Sequence, residues 1–278
     1  MRILITSLIA FSLLLSCDEP ETEVSNNYVV EGFIIAGQPV DNIKVKQISP
    51  LLSEDVTSEP ITNAQVIFNS GANAFNLDFN ATTGLYEYEG SDLDINIGES
   101  YSLQVTANDR TSSAMTTVPD APTGLVLEDS AIIIPQIRLS FSIADEITEL
   151  FFEERIVLEW DSIPGESYYV VIEEQDNEPD PILPAEIPDE PRELLSSFRF
   201  ISEPSESARF EIIGVALTNY GRYAAKVFTV NQEYVDLFDN LEQDSRDLNE
   251  PPSNVFNALG IFTSFAVDSI EFEVRRSR

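Results

Sequence analysis

The chain has 278 residues, with 49 Asp and Glu against 15 Lys and Arg, a formal net charge of −34, and no histidine. That charge makes nucleic acid a poor partner, because a phosphate backbone needs a basic stripe, and an anionic membrane surface repels it too. Without histidine there is no Ser-His-Asp or Cys-His nucleophile system, and the commonest general base and the usual transition-metal ligands are missing. Carboxylates alone suit hard cations, and glycosidase-type carboxylate pairs stay open in principle, although no pair stands out among so many acids. The expectation is a non-enzymatic protein with no cofactor, and an apolar fraction of 43% gives it enough material for real cores.

Met1-Arg2 is followed by an apolar or small run, Ile3 to Ser16, that ends at Cys17, the single cysteine. A short positive start, an apolar core and a small residue before the cut define a signal peptide over residues 1–16, too short to span a bilayer. Leu14-Leu15-Ser16-Cys17 also fits a bacterial lipobox, in which the cysteine is diacylated and becomes the mature N-terminus. An ordinary cleaved signal would leave a lone exported thiol without a disulfide partner, whereas lipidation explains it. Each buried methylene of an acyl chain contributes about 0.8 kcal/mol, so a multiply acylated terminus holds a membrane without a spanning segment. Residues 17–27 form an acidic tether. Asp18, Glu19 and Glu21, with Glu23, directly follow the cysteine and read as solvated linker or as an export signal.

From Tyr28 the chain reads as consecutive strands. Tyr28–Ile35 is β-branched and aromatic, Ile43–Lys46 and Phe75–Phe79 alternate cleanly, and Ala64–Phe68 and Tyr101–Ala107 add two more runs of period two. Turn signals fall between them at Gly37-Gln38-Pro39, Asn69-Ser70-Gly71, Thr83-Gly84, Gly90-Ser91-Asp92 and Asn108-Asp109. This spacing predicts an antiparallel sandwich over residues 28–118, closed by a hinge at 119–122, Pro119-Asp120-Ala121-Pro122.

A second β-rich domain is expected over residues 123–278. Ile137, Leu139, Phe141 and Ile143 alternate with polar residues. The stretch Ile156–Trp160, the turn Asp161-Ser162-Ile163-Pro164-Gly165 and the strand Ser167–Glu173 resemble the early strands of a fibronectin type III domain over about twenty residues. Pro179, Pro181, Pro184, Pro188 and Pro191 then break the pattern within Glu173–Pro191, predicting a proline-rich acidic surface loop. Further strands are expected at Phe198–Ile201, Phe210–Leu217, Tyr223–Val230 and Ile270–Val274. One short helix is predicted at Gln232–Gln243, with Asn231 as N-cap and Tyr234, Leu237, Phe238 and Leu241 on one face.

Three constellations are candidates for chemistry. Glu173, Glu174, Asp176, Glu178 and Asp180 form the densest acidic cluster, either a charged loop or a site for a cation or a basic partner. Asp92 and Asp94, with Glu99, read as a solvated turn or as calcium ligands, although the spacing lacks the glycine and bidentate glutamate of a helix-loop-helix calcium site. Phe151-Phe152 is either buried or an aromatic platform for a sugar or peptide.

The order of these pieces resembles a lipoprotein family of Bacteroidota known only as domain of unknown function 4249. The likeness runs through Cys17, Tyr28–Gly32, Ile61–Val66, Gly84-Leu85-Tyr86, Ile97–Leu103, the Pro119/Pro122 hinge, the helix around Tyr234–Leu241 and the tail Asn254–Phe262. It implies a lipid-anchored outer-membrane protein, exposed at the cell surface and often encoded beside a TonB-dependent transporter, with no catalytic residues to carry over. It also implies a first domain like transthyretin or carboxypeptidase-regulatory sandwiches. The expected fold is therefore all-β, with two antiparallel β-sandwich-like domains. The expected function is a binding or accessory module for a TonB-dependent outer-membrane barrel, the alternative being a structural adhesin or envelope-assembly protein.

Overall fold

The computed structural model describes residues 27–48, 58–135, 154–178, 180–182, 200–214, 217–241 and 252–277. Cys17, Asp18, Glu19 and Glu21, the strand expected at Ile137–Ile143, the pair Phe151-Phe152 and most of the proline-rich loop lie outside those residues.

Alternation decides the first seven strands. β1 (Tyr28–Ile35) turns every second residue inward, with Tyr28, Val30 and Ile34 buried, and β2 (Ile43–Gln47) does the same with Ile43 and Val45. β3 (Gln65–Ser70), β4 (Asn73–Asn80), β5 (Leu85–Glu87), β6 (Ser100–Ala107) and β7 (Arg110–Thr117) follow as antiparallel neighbours. The β6–β7 turn places Asn108 and Asp109 at φ of 50° and 59°. Those are the paired left-handed residues of a two-residue hairpin turn, and Asn and Asp tolerate them best.

The chain then crosses to a second core. β8 (Thr123–Leu127), β10 (Arg155–Asp161) and β14 (Arg209–Ile213) make a three-stranded sheet in the order β14-β10-β8. This sheet and the larger one enclose Ile156, Leu158, Trp160, Tyr168, Val170, Tyr223 and Phe272 in a second buried cluster. The fibronectin-like stretch behaves as its pattern implies. Trp160 stands one residue before the end of β10, and Tyr168 near the start of β11 (Ser167–Glu174) meets its ring edge-on at 5.5 Å. The Tyr168 hydroxyl accepts the Ile163 amide at 3.0 Å, closing the Pro164-Gly165 turn.

The remaining elements are β9 (Ala131–Ile134), β12 (Asp180–Pro181), β13 (Phe200–Ile201), β15 (Asn219–Val230), helix α1 (Gln232–Leu241) and β16 (Leu259–Arg276). The main sheet runs β13-β11-β15-β16-β1-β2-β5-β4-β3-β6-β7, with β12 added to β15 and β9 to β16. The protein is all-β apart from one short helix among the described residues.

β16 joins the two halves. Its first seven residues pair in parallel with β1, from Val29↔Leu259 to Ile35↔Phe265. Its later part pairs antiparallel with β15, from Val230↔Phe265 to Gly221↔Val274, and its end pairs in parallel with β9. The sandwich expectation of antiparallel strands therefore gives way to parallel pairing at β1–β16 and β9–β16. Residues Ile261–Ala266 are buried on both faces, the mark of a strand covered from two sides. Phe262 and Ala266 enter the first core together with Val255, while Phe265 turns to the opposite face. A Cβ at Gly32 would come within 2.8 Å of the Phe262 ring, so the missing side chain lets that ring pack against β1. β7 returns to the chain just before β16 through the Ser113↔Phe256 bridge, which nearly closes the sheet round the first core.

This changes the expected boundaries. Val118 and Ala121 pack in the first core and Leu125 against the second. Residues 123–278, however, do not form a separate unit, because residues 254–266 complete the core of residues 28–118.

Candidate functional site

Four of the five expected docking acids are engaged by cations and amides of β15 and β16. Glu173 and Glu174 lie inside β11, not in a loop. Glu173 pairs with Lys226 Nζ, and Glu174 accepts Asn219 Nδ2 at 2.7 Å. Asp176 accepts the Arg222 backbone amide at 2.8 Å and its guanidinium at 3.1 and 3.0 Å. That backbone amide first, and then the guanidinium, hold its carboxyl below the usual carboxylate range. Asp180 receives Arg276 Nη2 at 3.1 and 3.2 Å, and the same guanidinium sits 4.8 Å above the Tyr220 ring. Glu178 is exposed. The cluster expected to attract a basic partner thus finds much of its positive complement within its own sheet.

Asp92 and Asp94 do not converge. Asp92 accepts the Tyr88 hydroxyl at 2.6 Å, a bond that also pushes the Tyr88 phenol up. Asp94 offers its backbone carbonyl to the Tyr101 hydroxyl at 3.0 Å, and the Glu99 carboxylate takes the same hydroxyl at 3.2 Å. These residues build a tyrosine-sealed turn. Among the described residues, no group of three potential ligands could hold a metal ion.

Two features escaped the sequence, and a third lies in a stretch singled out there only by its family likeness. A polar knot joins β7, β16 and the start of α1. Asn231 Nδ2 lies 3.0 Å from Thr116 Oγ1 and from Ser264 Oγ, and 3.1 Å from the Thr117 carbonyl. Thr116 and Ser264 share a further 3.0 Å bond. Asn231 does stand just before the helix, but its amide nitrogen ties the helix to the sheet. A second feature lies beside α1, where Tyr169 stacks on Phe228 at 4.7 Å and Tyr234 meets Phe265 edge-on at 5.1 Å. Burial pushes the Tyr169 phenol far up. The helical spacing of Tyr234 was legible, but the partners of Tyr234 come from distant strands.

The third feature is the tail Asn254–Phe262. Asn254 clamps the Phe262 backbone in both directions, donating to its carbonyl at 2.8 Å and accepting its amide at 2.9 Å. Val255 points into the first core and Phe256 out into solvent. A shallow depression of about 340 Å³ also lies on the small sheet, between Val126, Glu128, Val157, Glu159 and Arg209. Arg209 there is already paired to Glu159 and Glu211.

The pieces are those of an all-β protein with one short helix among its described residues. Residues 15–271 match the family model described as "Domain of unknown function (DUF4249)", and the chain belongs to that family. No curated protein matches it. Solved structures similar to it include a two fibronectin type III domain segment from chicken tenascin, at 11% identity over 89% of this chain and 99% of that one, with a TM-score of 0.25. A cytokine receptor complex is similar at 9% identity over 89% of this chain and 96% of that one, also with a TM-score of 0.25.

Proposed function

We propose that the protein is an outer-membrane lipoprotein, anchored through Cys17 and exposed at the cell surface, that serves as a non-enzymatic binding or accessory module for a TonB-dependent nutrient transporter. The observation that carries this reading is the lipobox Leu14-Leu15-Ser16-Cys17, which ends an apolar leader at the chain's single cysteine. The acids Asp18, Glu19 and Glu21 after it support export to the surface. The absence of histidine removes the commonest acid–base and nucleophile systems. A chain built from sheet and tyrosine-sealed turns suits a rigid spacer that positions a contact surface near a barrel. No helix among the described residues is long and apolar enough to cross a membrane. In this reading the membrane is held by lipid.

Anchorage is tested by labelling cells with a fatty acid and fractionating them. Wild type should carry label in the membrane fraction, and Cys17→Ser should be unlabelled and either soluble or unprocessed. Unlabelled, soluble wild type would refute the reading.

A further inference from the structure

Two exposed apolar side chains stand together at one place in the fold. Phe256 is 75% exposed and Met115 68%, more than any other large hydrophobic residue described. Single apolar residues at a surface are ordinary, but these two share a face. Ser113 and Phe256 exchange both backbone bonds, at 3.2 and 2.8 Å. Met115 lies two residues beyond Ser113 on the same side of β7, where alternation sends Ala114 and Thr116 inward.

The local structure holds Phe256 outward. Val255 before it is buried, Asn254 fixes the backbone of Phe262, and Asn257 after it adopts φ of 67° while donating to the Thr111 carbonyl at 3.0 Å. A chain spending this many polar contacts on one short segment presents the ring in a set direction. The hydrophobic penalty of that display is relieved only when something apolar covers it.

The position of the tether identifies the cover. The Arg110 guanidinium donates through Nη2 to the Asn257 carbonyl at 3.2 Å and side-chain oxygen at 3.0 Å, and through Nη1 to Asn27. Phe256 therefore sits beside the root of residues 17–27, which lead back to Cys17. That stretch reaches at most ~35 Å when fully extended. The bulk of the chain, at −34, is repelled by anionic surfaces. Around Phe256, by contrast, lie Ser113, Thr111, Asn257 and the Arg110 cation, with Asp109 the one acid of the β6–β7 hairpin and Glu233 accepting the Thr116 hydroxyl at 3.2 Å.

We infer that the face carrying Phe256 and Met115 docks into the bilayer surface to which the chain is tethered, an inference that rests on lipidation at Cys17. Phe256 enters the boundary between headgroups and acyl chains, Met115 covers its flank, and the second core is held away from the membrane. The lipid fixes the protein to the membrane, and this face fixes its orientation.

The test uses full-length lipidated protein carrying Phe256→Trp on neutral phosphatidylcholine vesicles, with brominated phosphatidylcholine as quencher. Trp160, buried in the second core, provides a background that the wild type measures alone. The introduced indole should shift to the blue and lose about half its emission on brominated vesicles, with Met115→Ser weakening the effect. Wild-type emission should stay unchanged. If the lipidated protein floats with the vesicles while the introduced indole stays water-exposed and unquenched, the anchor stands and the docking is wrong. A blue shift seen in native outer membranes but not on vesicles would make the cover a protein and overturn bilayer docking. Failure to carry lipid or to float would remove the anchor and this inference together.

Discussion

At Gly260 one added carbon meets backbone. The residue holds φ of +119°, and a Cβ there would fall on the carbonyl of Val30, the strand that β16 must pair with. Gly260→Ala should lower stability by about 3 kcal/mol, read as a fall in the urea midpoint with the slope unchanged. Gly37→Ala, also at positive φ but with open space around it, should cost about 1 kcal/mol. Equal losses would contradict the close approach. Two phenols, the buried Tyr223 and the half-buried Tyr169, set the alkaline limit. Burial pushes Tyr223 up to about 12, and Tyr169 further still, from the ordinary 10.0. Both bind their proton more tightly when folded, so their contribution is complete below pH 10 and is lost as pH rises toward and through the folded values. The urea midpoint should fall above pH 10, and Tyr169→Phe should make that fall shallower. At this scale the sequence says least. It shows five acids close together in the chain, but the cations that engage three of them, Arg222, Lys226 and Arg276, come from strands joined only by the finished sheet.

Individual elements were far more legible. Period-two alternation marks β1, β2 and β6, and Asn108-Asp109 marks a hairpin because few other pairs accept two left-handed conformations. The Trp160, Pro164-Gly165, Tyr168 pattern marks a strand, turn and strand that pack as it implies. β16 was not legible over its full length. Its early stretch, Ile261–Ala266, is buried on both faces and therefore does not alternate, and only the later stretch around Ile270–Val274 carries a strand's signature. Helix α1 illustrates the same limit. Its apolar face is readable, but Asn231 is recruited by Thr116 and Ser264, which lie 115 and 33 residues away. Asn231→Ala leaves those buried hydroxyls short of a donor and should cost about 2 kcal/mol in thermal or urea unfolding. A change within a few tenths of a kcal/mol, as for an exposed cap, would mean the knot contributes nothing.

For the molecule as a whole, the first and last strands lie side by side, so neither half is complete without the other. Residues 27–118 expressed alone lack Val255, Phe262 and Ala266 from their core and the parallel partner of β1. They should show no cooperative unfolding transition, whereas residues 27–118 linked to 252–266 should recover one. A cooperative transition in 27–118 alone would restore a boundary at Pro119–Pro122. The joined architecture also bears on the proposed role, since a single continuous sheet transmits the position of the anchored end to the far core without a hinge. The central claim is that this anchored body works beside a transporter. Its most direct measurement is affinity purification of tagged wild type and Cys17→Ser from cells, after cross-linking and outer-membrane solubilisation, with mass spectrometry of what is recovered. A TonB-dependent barrel recovered with wild type and lost with Cys17→Ser is the predicted result. Recovery of wild type without any such barrel, or with the same proteins as the unanchored variant, would contradict it.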